Sequence, residues 1–153
     1  MYSRSRVLVP SPTYSDPMPD YALLRSSEQH GWNGILVHQY RLAPQLERVP
    51  APETTTHILY IVVRGFGAHE TVLDGRATHA RPTPGNLALL PASAPAAHSW
   101  NASFEVAPLY LAPTLVTAAA AEIDRSDPDR VALCPHLSFR DPLIEQLGRS
   151  FVG

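Results

Sequence analysis

The segment Pro84-Gly85-Asn86-Leu87-Ala88-Leu89-Leu90-Pro91 leaves the backbone little choice but a turn, a short strand and a second turn. A Pro-Gly pair opens it and four consecutive apolar residues fill it. Pro91 and Pro95, which cannot donate to a sheet ladder, close it. Beyond the second turn, His98 and Trp100 lie two apart, so an extended backbone projects both rings to one face of a sheet.

The same punctuation recurs upstream. Ile35 to Leu42 starts aliphatic and ends in alternation, as a strand does, and Pro44, Pro50 and Pro52 predict a loop after it. Thr56 to Val63 is β-branched or aromatic at most positions and is expected to be a central strand. Asp74-Gly75, flanked by Glu70 to Leu73 and Arg76 to His79, is a strong hairpin signal because both turn residues tolerate positive φ. Phe104 to Leu111 is another strand, in which Pro108 predicts an edge position or a bulge. The period changes only after residue 112. Leu115, Ala119 and Ile123 recur every four residues behind Pro113, which suits a first helical turn. A turn at Asp127-Pro128-Asp129 and an extended piece from Val131 to Phe139 follow. Asp141-Pro142 then reads as a capped helix start, with Leu143, Leu147 and Phe151 on one stripe and Ile144 beside it. Strands first and helices last argue for a mainly β fold, an antiparallel barrel or sandwich with two C-terminal helices.

Composition excludes some functions. The 12 basic residues, all arginine, are outnumbered by 14 acidic ones for a net charge of -2, which supplies no clustered positive charge for a phosphate backbone. Cys134 is the only cysteine, so no intramolecular disulfide can form, and a buried, inert thiol is expected. The longest helix-like apolar run, Leu115 to Ala121, falls far short of the ~20 residues of a membrane span. A cytoplasmic protein without a membrane partner is the expectation. Residues 1–20 hold Pro10, Pro12, Pro17 and Pro19 among polar residues and read as a flexible arm, on which Tyr2 and Tyr14, with Tyr21 just beyond, are stray exposed rings.

Gly85, five residues, Pro91 and a histidine beyond resemble the second sequence motif of the cupin β-barrels. A wider resemblance runs from Gly31 to Gly153. Gly-Trp-Asn-Gly at its head, the Leu-Asp-Gly-Arg hairpin, the Pro-Gly strand, Leu-Tyr-Leu-Ala-Pro before the first helix and Phe-Arg-Asp-Pro-Leu before the second are similar to the amino-terminal half of AraC-family transcription regulators. That resemblance implies a cupin-like barrel (double-stranded β-helix) over residues 21–112 that binds a small-molecule effector. It implies helices over 113–153 that make a homodimer, and contact with DNA only through a helix-turn-helix domain that this chain lacks. The chain is accordingly expected to be a truncated regulator or a stand-alone domain. Two other readings stand beside it: a stand-alone metal-dependent cupin enzyme, and a dimerisation module with no ligand.

Metal-binding cupins carry two histidines one residue apart, a glutamate shortly after, and a later histidine. Here Leu59 follows His57 where the second histidine would stand, and Ala96 takes the place of the later one, with His98 two residues on. His57, His98 and Glu70 fall short of a stable first-row site, so neither metal nor other cofactor is expected. Cys134-Pro135-His136 does not aim a thiolate and its base at one substrate, and no nucleophile motif is present, so no enzymatic role is expected. The groups able to orient a small polar ligand inside the barrel are His38, Tyr40, His57, His98 and Trp100. Tyr60 differs in parity from His57, so only one of the two can point inward, and His57 near a barrel rim is favoured. His69 and His79 beside the hairpin are expected to face solvent. Leu143, Ile144, Leu147 and Phe151 are the candidate dimerisation residues.

Overall fold

The structure, a computed structural model, describes residues 7–10, 21–51, 55–92, 94–124 and 133–151. The strands are β1 (Tyr21–Ser26), β2 (Ile35–Leu42), β3 (Gln45–Pro50), β4 (His57–Arg64), β5 (His69–Leu73), β6 (Arg76–Ala80), β7 (Leu87–Leu90), β8 (Ala96–Trp100), β9 (Phe104–Leu111) and β10 (His136–Phe139). The helices α1 (Pro113–Asp124) and α2 (Pro142–Phe151) flank β10. Six strands form one sheet in the order β1-β2-β9-β4-β7-β10 and four form a second in the order β3-β8-β5-β6. Every recorded strand pair is antiparallel. The chain is thus a mainly β, cupin-like barrel with two C-terminal helices.

The local signals explain most of this. Asp74 and Gly75 adopt φ of 50° and 75°, the double positive φ of a two-residue hairpin, and set β5 against β6 with Leu73 opposite Arg76. The β-branched strand β4 lies between β9 and β7, as its composition demands. Two expectations are corrected. Pro108 occupies neither an edge nor a bulge: β9 is central, Pro108 pairs in register with Tyr60, and the missing N–H is absorbed where pairing with β2 lapses between Val37–Leu109 and Tyr40–Val106. The proline-rich segment after β2 is not all loop, because β3 pairs with β8 up to Pro50 opposite Ala97. A proline at the end of an edge strand loses no ladder bond that the sheet needs.

Alternation along β4 divides the core. Ile58 packs inward with Val9, Leu36, Tyr110 and Ala112, while Ile61 packs outward with Val37, Leu87 and Leu109. Within the stretch read as a flexible arm, Val9 is buried in the inner cluster and Val7 accepts a hydrogen bond from Gly34 N–H at 2.7 Å. Tyr2, Tyr14 and the turn at Asp127-Pro128-Asp129 lie outside the described residues, as do Val131 and Ala132 of the extended piece. Cys134 is exposed, against the expectation of a buried thiol. The Leu115–Ala119–Ile123 stripe of α1 is not its packed face, since Ile123 is 86% exposed. Among the described residues no helix is long and apolar enough to cross a membrane.

Helix α2 sits on the outer face. Asp141 Oδ1 caps it by accepting hydrogen bonds from the N–H groups of Leu143 and Ile144 at 3.0 and 3.1 Å. Ile144 packs against the outer cluster of its own barrel, whereas Leu143 and Leu147 are exposed. Gly148 is buried, and a Cβ there would collide with Ile61 Cδ1, so this glycine sets how closely the helix lies on the sheet. In a free helix Gly→Ala would gain about 1 kcal/mol. Gly148→Ala is therefore expected to destabilise the protein despite that gain, by about 1–3 kcal/mol, as overpacking does. Ile61→Val removes the colliding methyl and should recover part of the loss in a double-mutant cycle read by urea denaturation. Stabilisation by Gly148→Ala alone would show that α2 does not rest on Ile61.

Candidate functional site

A cavity of about 150 Å³ lies between the two sheets. The six-stranded sheet contributes Tyr40, Leu42, Tyr60, Val62, Val106 and Pro108, and the four-stranded sheet contributes Val49, His69, Thr71, Thr78, His98 and Trp100. Period-two geometry assembles most of this lining: β2, β4, β5, β6, β8 and β9 each supply residues of one parity, while β3 supplies the consecutive Val49 and Pro50 at its end. The walls are overwhelmingly apolar, and among the described residues the lining contains no Arg, Asp or Glu.

The polar groups that the four-stranded sheet gives to the lining gather around His98. Thr71 lies directly opposite His98 in the β5–β8 pairing. The His98 ring stacks on His69 with centroids 5.2 Å apart, and His98 Nδ1 lies 3.2 Å from His69 Nε2 and 3.3 Å from Thr71 Oγ1. Tyr60 meets His98 edge-to-face from the other sheet at 6.2 Å. His98 Nε2 is buried and has no hydrogen-bond partner among the described residues. Burial, then repulsion from His69, lowers the His98 imidazole to about 3, and burial also lowers His69. Both rings are therefore neutral at pH 7. Burial, reinforced by Tyr40, raises the Tyr60 phenol, which stays protonated.

Of the residues singled out in the sequence, Tyr40, His98 and Trp100 line the cavity and His38 and His57 do not. Trp100 is fixed by its Nε1–H, which donates to the Ala43 carbonyl at 2.6 Å. His38 shares the parity of Tyr40 but lies one step further along β2, with Nδ1 2.7 Å from the Tyr40 hydroxyl and its ring against Tyr110. His57 Nδ1 accepts a hydrogen bond from Ala92 N–H at 2.8 Å, which ties β4 to the turn after β7. Between His57 and Tyr60, the inward member is Tyr60, in phase with Val62 and with no bulge between them to reset the parity. His69 is likewise corrected from the surface to the cavity. The hairpin strand β5 presents His69 and Thr71 inward, while Glu70 faces out to Arg48 at 2.6 Å and His79 at 2.9 Å. The Arg48 guanidinium, hydrogen-bonded to Glu70, holds that carboxyl below its ordinary range. The alternation His69-Glu70-Thr71 carried the signal, since the acidic residue must be the outward one.

The residues present do not fit the metal site of metal-binding cupins. Leu59 packs with the outer cluster, His57 Nδ1 is engaged by backbone, and Glu70 faces away from the cavity. Among the described residues no three His, Cys, Asp or Glu side chains are placed to hold one ion.

No family model and no curated protein matches this chain. Solved structures do resemble it. Salicylate 1,2-dioxygenase from Pseudoaminobacter salicylatoxidans is similar at 19% identity and a TM-score of 0.47, over 69% of this chain and 28% of that one. A cupin superfamily protein from Desulfitobacterium hafniense is similar at 16% identity and a TM-score of 0.45, over 65% of this chain and 83% of that one. The EutQ protein of Clostridium difficile is similar at 13% identity and a TM-score of 0.45, over 60% and 66% of the respective chains. The chain thus spans about a quarter of the dioxygenase. The expectation of a chain without enzymatic function does not stand, since the similar structures include a dioxygenase.

Neutral buried histidines tie stability to pH. The unfolded chain binds a proton at His98 as pH falls below ~6.5, and the folded chain does not until far lower. The contribution of His98 is therefore complete above that value and is lost as pH falls toward about 3. The expected slope approaches ~1.4 kcal/mol per pH unit for one fully shifted histidine. Urea denaturation of His98→Leu between pH 7 and 5, where carboxylates remain ionised, should show a shallower loss of stability than the parent chain; an identical slope would mean that His98 titrates normally.

Proposed function

We propose that this chain is the ligand-sensing and dimerisation part of an AraC-type transcription regulator, with the barrel cavity as the effector site. The single observation that carries this reading is a buried imidazole with an unpartnered Nε2 at the edge of an apolar cavity. Leaving a polar atom buried without a partner costs about 1–3 kcal/mol, a cost that a bound molecule with one suitable polar group would offset. The reading of a dimerisation module with no ligand gives that arrangement no purpose.

The surface supports the rest of the proposal. Leu143, Leu147 and Phe151 are 69%, 57% and 39% exposed, a continuous apolar stripe on a helix whose other side rests on its own barrel through Ile144 and Gly148. A second copy of the chain covering that stripe would bury it. The net charge of -2 and the pairing of Arg41 and Arg64 with Glu105 argue against a basic face among the described residues, which supports assigning DNA contact to a separate domain.

Thermal denaturation against a panel of small metabolites tests the effector site. A ligand at 100 times its dissociation constant adds ~2.7 kcal/mol to stability. At least one compact, largely apolar compound is expected to raise the melting temperature of the parent chain, and Val106→Trp, which fills the cavity from β9, is expected to abolish the shift. A shift that survives in a folded Val106→Trp variant would place the ligand elsewhere.

A further inference from the structure

We propose that the barrel cavity recognises a neutral, single-ring aromatic molecule bearing one hydroxyl group, and rejects the corresponding ionised acid. The inference rests on the cavity being the ligand site and adds the chemical class of the ligand.

Size sets the ring. An apolar cavity of about 150 Å³ matches a single six-membered ring with a small substituent. Tyr60 and Trp100 present aromatic surface to such a ring, and Leu42, Val62, Val106 and Pro108 provide the aliphatic remainder of the wall.

The histidine pair sets the polar group. His98 Nδ1 is in contact with both His69 Nε2 and Thr71 Oγ1, so its role decides what Nε2 offers. If Nδ1 accepts from His69 or Thr71, the proton of the neutral ring sits on Nε2 and the cavity presents a donor. If Nδ1 donates, Nε2 is a bare acceptor. A hydroxyl is the smallest group that satisfies either state, because it both donates and accepts. One such group suffices, since Nε2 of His98 is the one buried, unpartnered side-chain atom that the described cavity lining holds.

Charge sets the rejection. Among the described residues, the titratable groups of the lining are His69 and His98 together with Tyr21, Tyr40 and Tyr60, and no arginine lines it. A carboxylate drawn in would lose its hydration with no counter-charge in return, a cost far above that of burying a hydroxyl that finds its partner.

Isothermal titration of the full chain with phenol, toluene and benzoate tests this directly, because toluene has the shape of phenol without the hydroxyl and benzoate adds the charge. Phenol is expected to bind about tenfold more tightly than toluene, and benzoate more weakly than either. His98→Leu should equalise phenol and toluene, and His98→Gln, which keeps a polar atom at the site, should restore part of the preference. Benzoate binding as tightly as phenol, or a phenol preference undiminished in folded His98→Leu, would overturn the assignment of ligand class while leaving the cavity as the binding site. Failure of all three compounds to bind would overturn the assignment too. If the metabolite panel still finds a compound whose effect Val106→Trp abolishes, the cavity survives as the site and only the ligand class is lost.

Discussion

Tyr60 and Ile61 are neighbours on β4 that face opposite sides of one sheet, and the rest of the molecule depends on that alternation. Tyr60 reaches across the barrel interior toward His98, and Ile61 seats the C-terminal helix against the exterior. A slip of one residue by β4 against β9 would exchange the two faces of β4, putting Ile61 into the cavity and Tyr60 beneath α2. The register is therefore held from both sides, inside by Ile58 with Tyr110 and outside by Ile61 with Leu109. The cavity wall and the helix platform are two faces of the same ladder, carried by adjacent residues of β4.

The electrostatic character of the interior follows from where charge is placed. Alternation on β5 sends Glu70 outward, where Arg48 and His79 pair with it, and sends His69 and Thr71 inward, where no charge accompanies them. Burial then keeps both imidazoles neutral, and their hydrogen-bonding capacity remains without their charge. Cupin barrels that hold metal converge several ligands on one point; this barrel instead stacks two rings and leaves Nε2 of His98 without a partner among the described residues.

Much of this was legible in the sequence. The hairpin at Asp74-Gly75, the Pro-Gly strand, the shared face of His98 and Trp100 and the capped start at Asp141 rest on local backbone chemistry, and the structure has all of them. What misled was context. Pro108 can occupy a central strand because an N–H is dispensable where pairing with β2 lapses, a fact of tertiary pairing. His69 looked exposed because it sits near a turn, yet β8 pairs along β5 and folds that hairpin over the cavity. Parity alone established that His57 and Tyr60 diverge, but choosing between them required knowing that the turn at Ala92 holds the His57 ring. The exposed stripe on α2 was visible as a period; that Ile144 and Gly148 belong to the barrel required the helix to be docked.

The central claim is that His98 is a neutral, buried imidazole whose Nε2 faces the ligand. Long-range proton–nitrogen correlation spectra of uniformly nitrogen-15-labelled protein observe each histidine nitrogen separately. The account predicts that His98 keeps the two distinct nitrogen shifts of a neutral ring at pH 5, as expected for a group held at about 3, and that its Nε2 resonance moves when an effector saturates the cavity while that of surface His79 does not. An imidazolium signal from His98 at pH 5, or an Nε2 shift indifferent to a ligand that stabilises the fold, would contradict it.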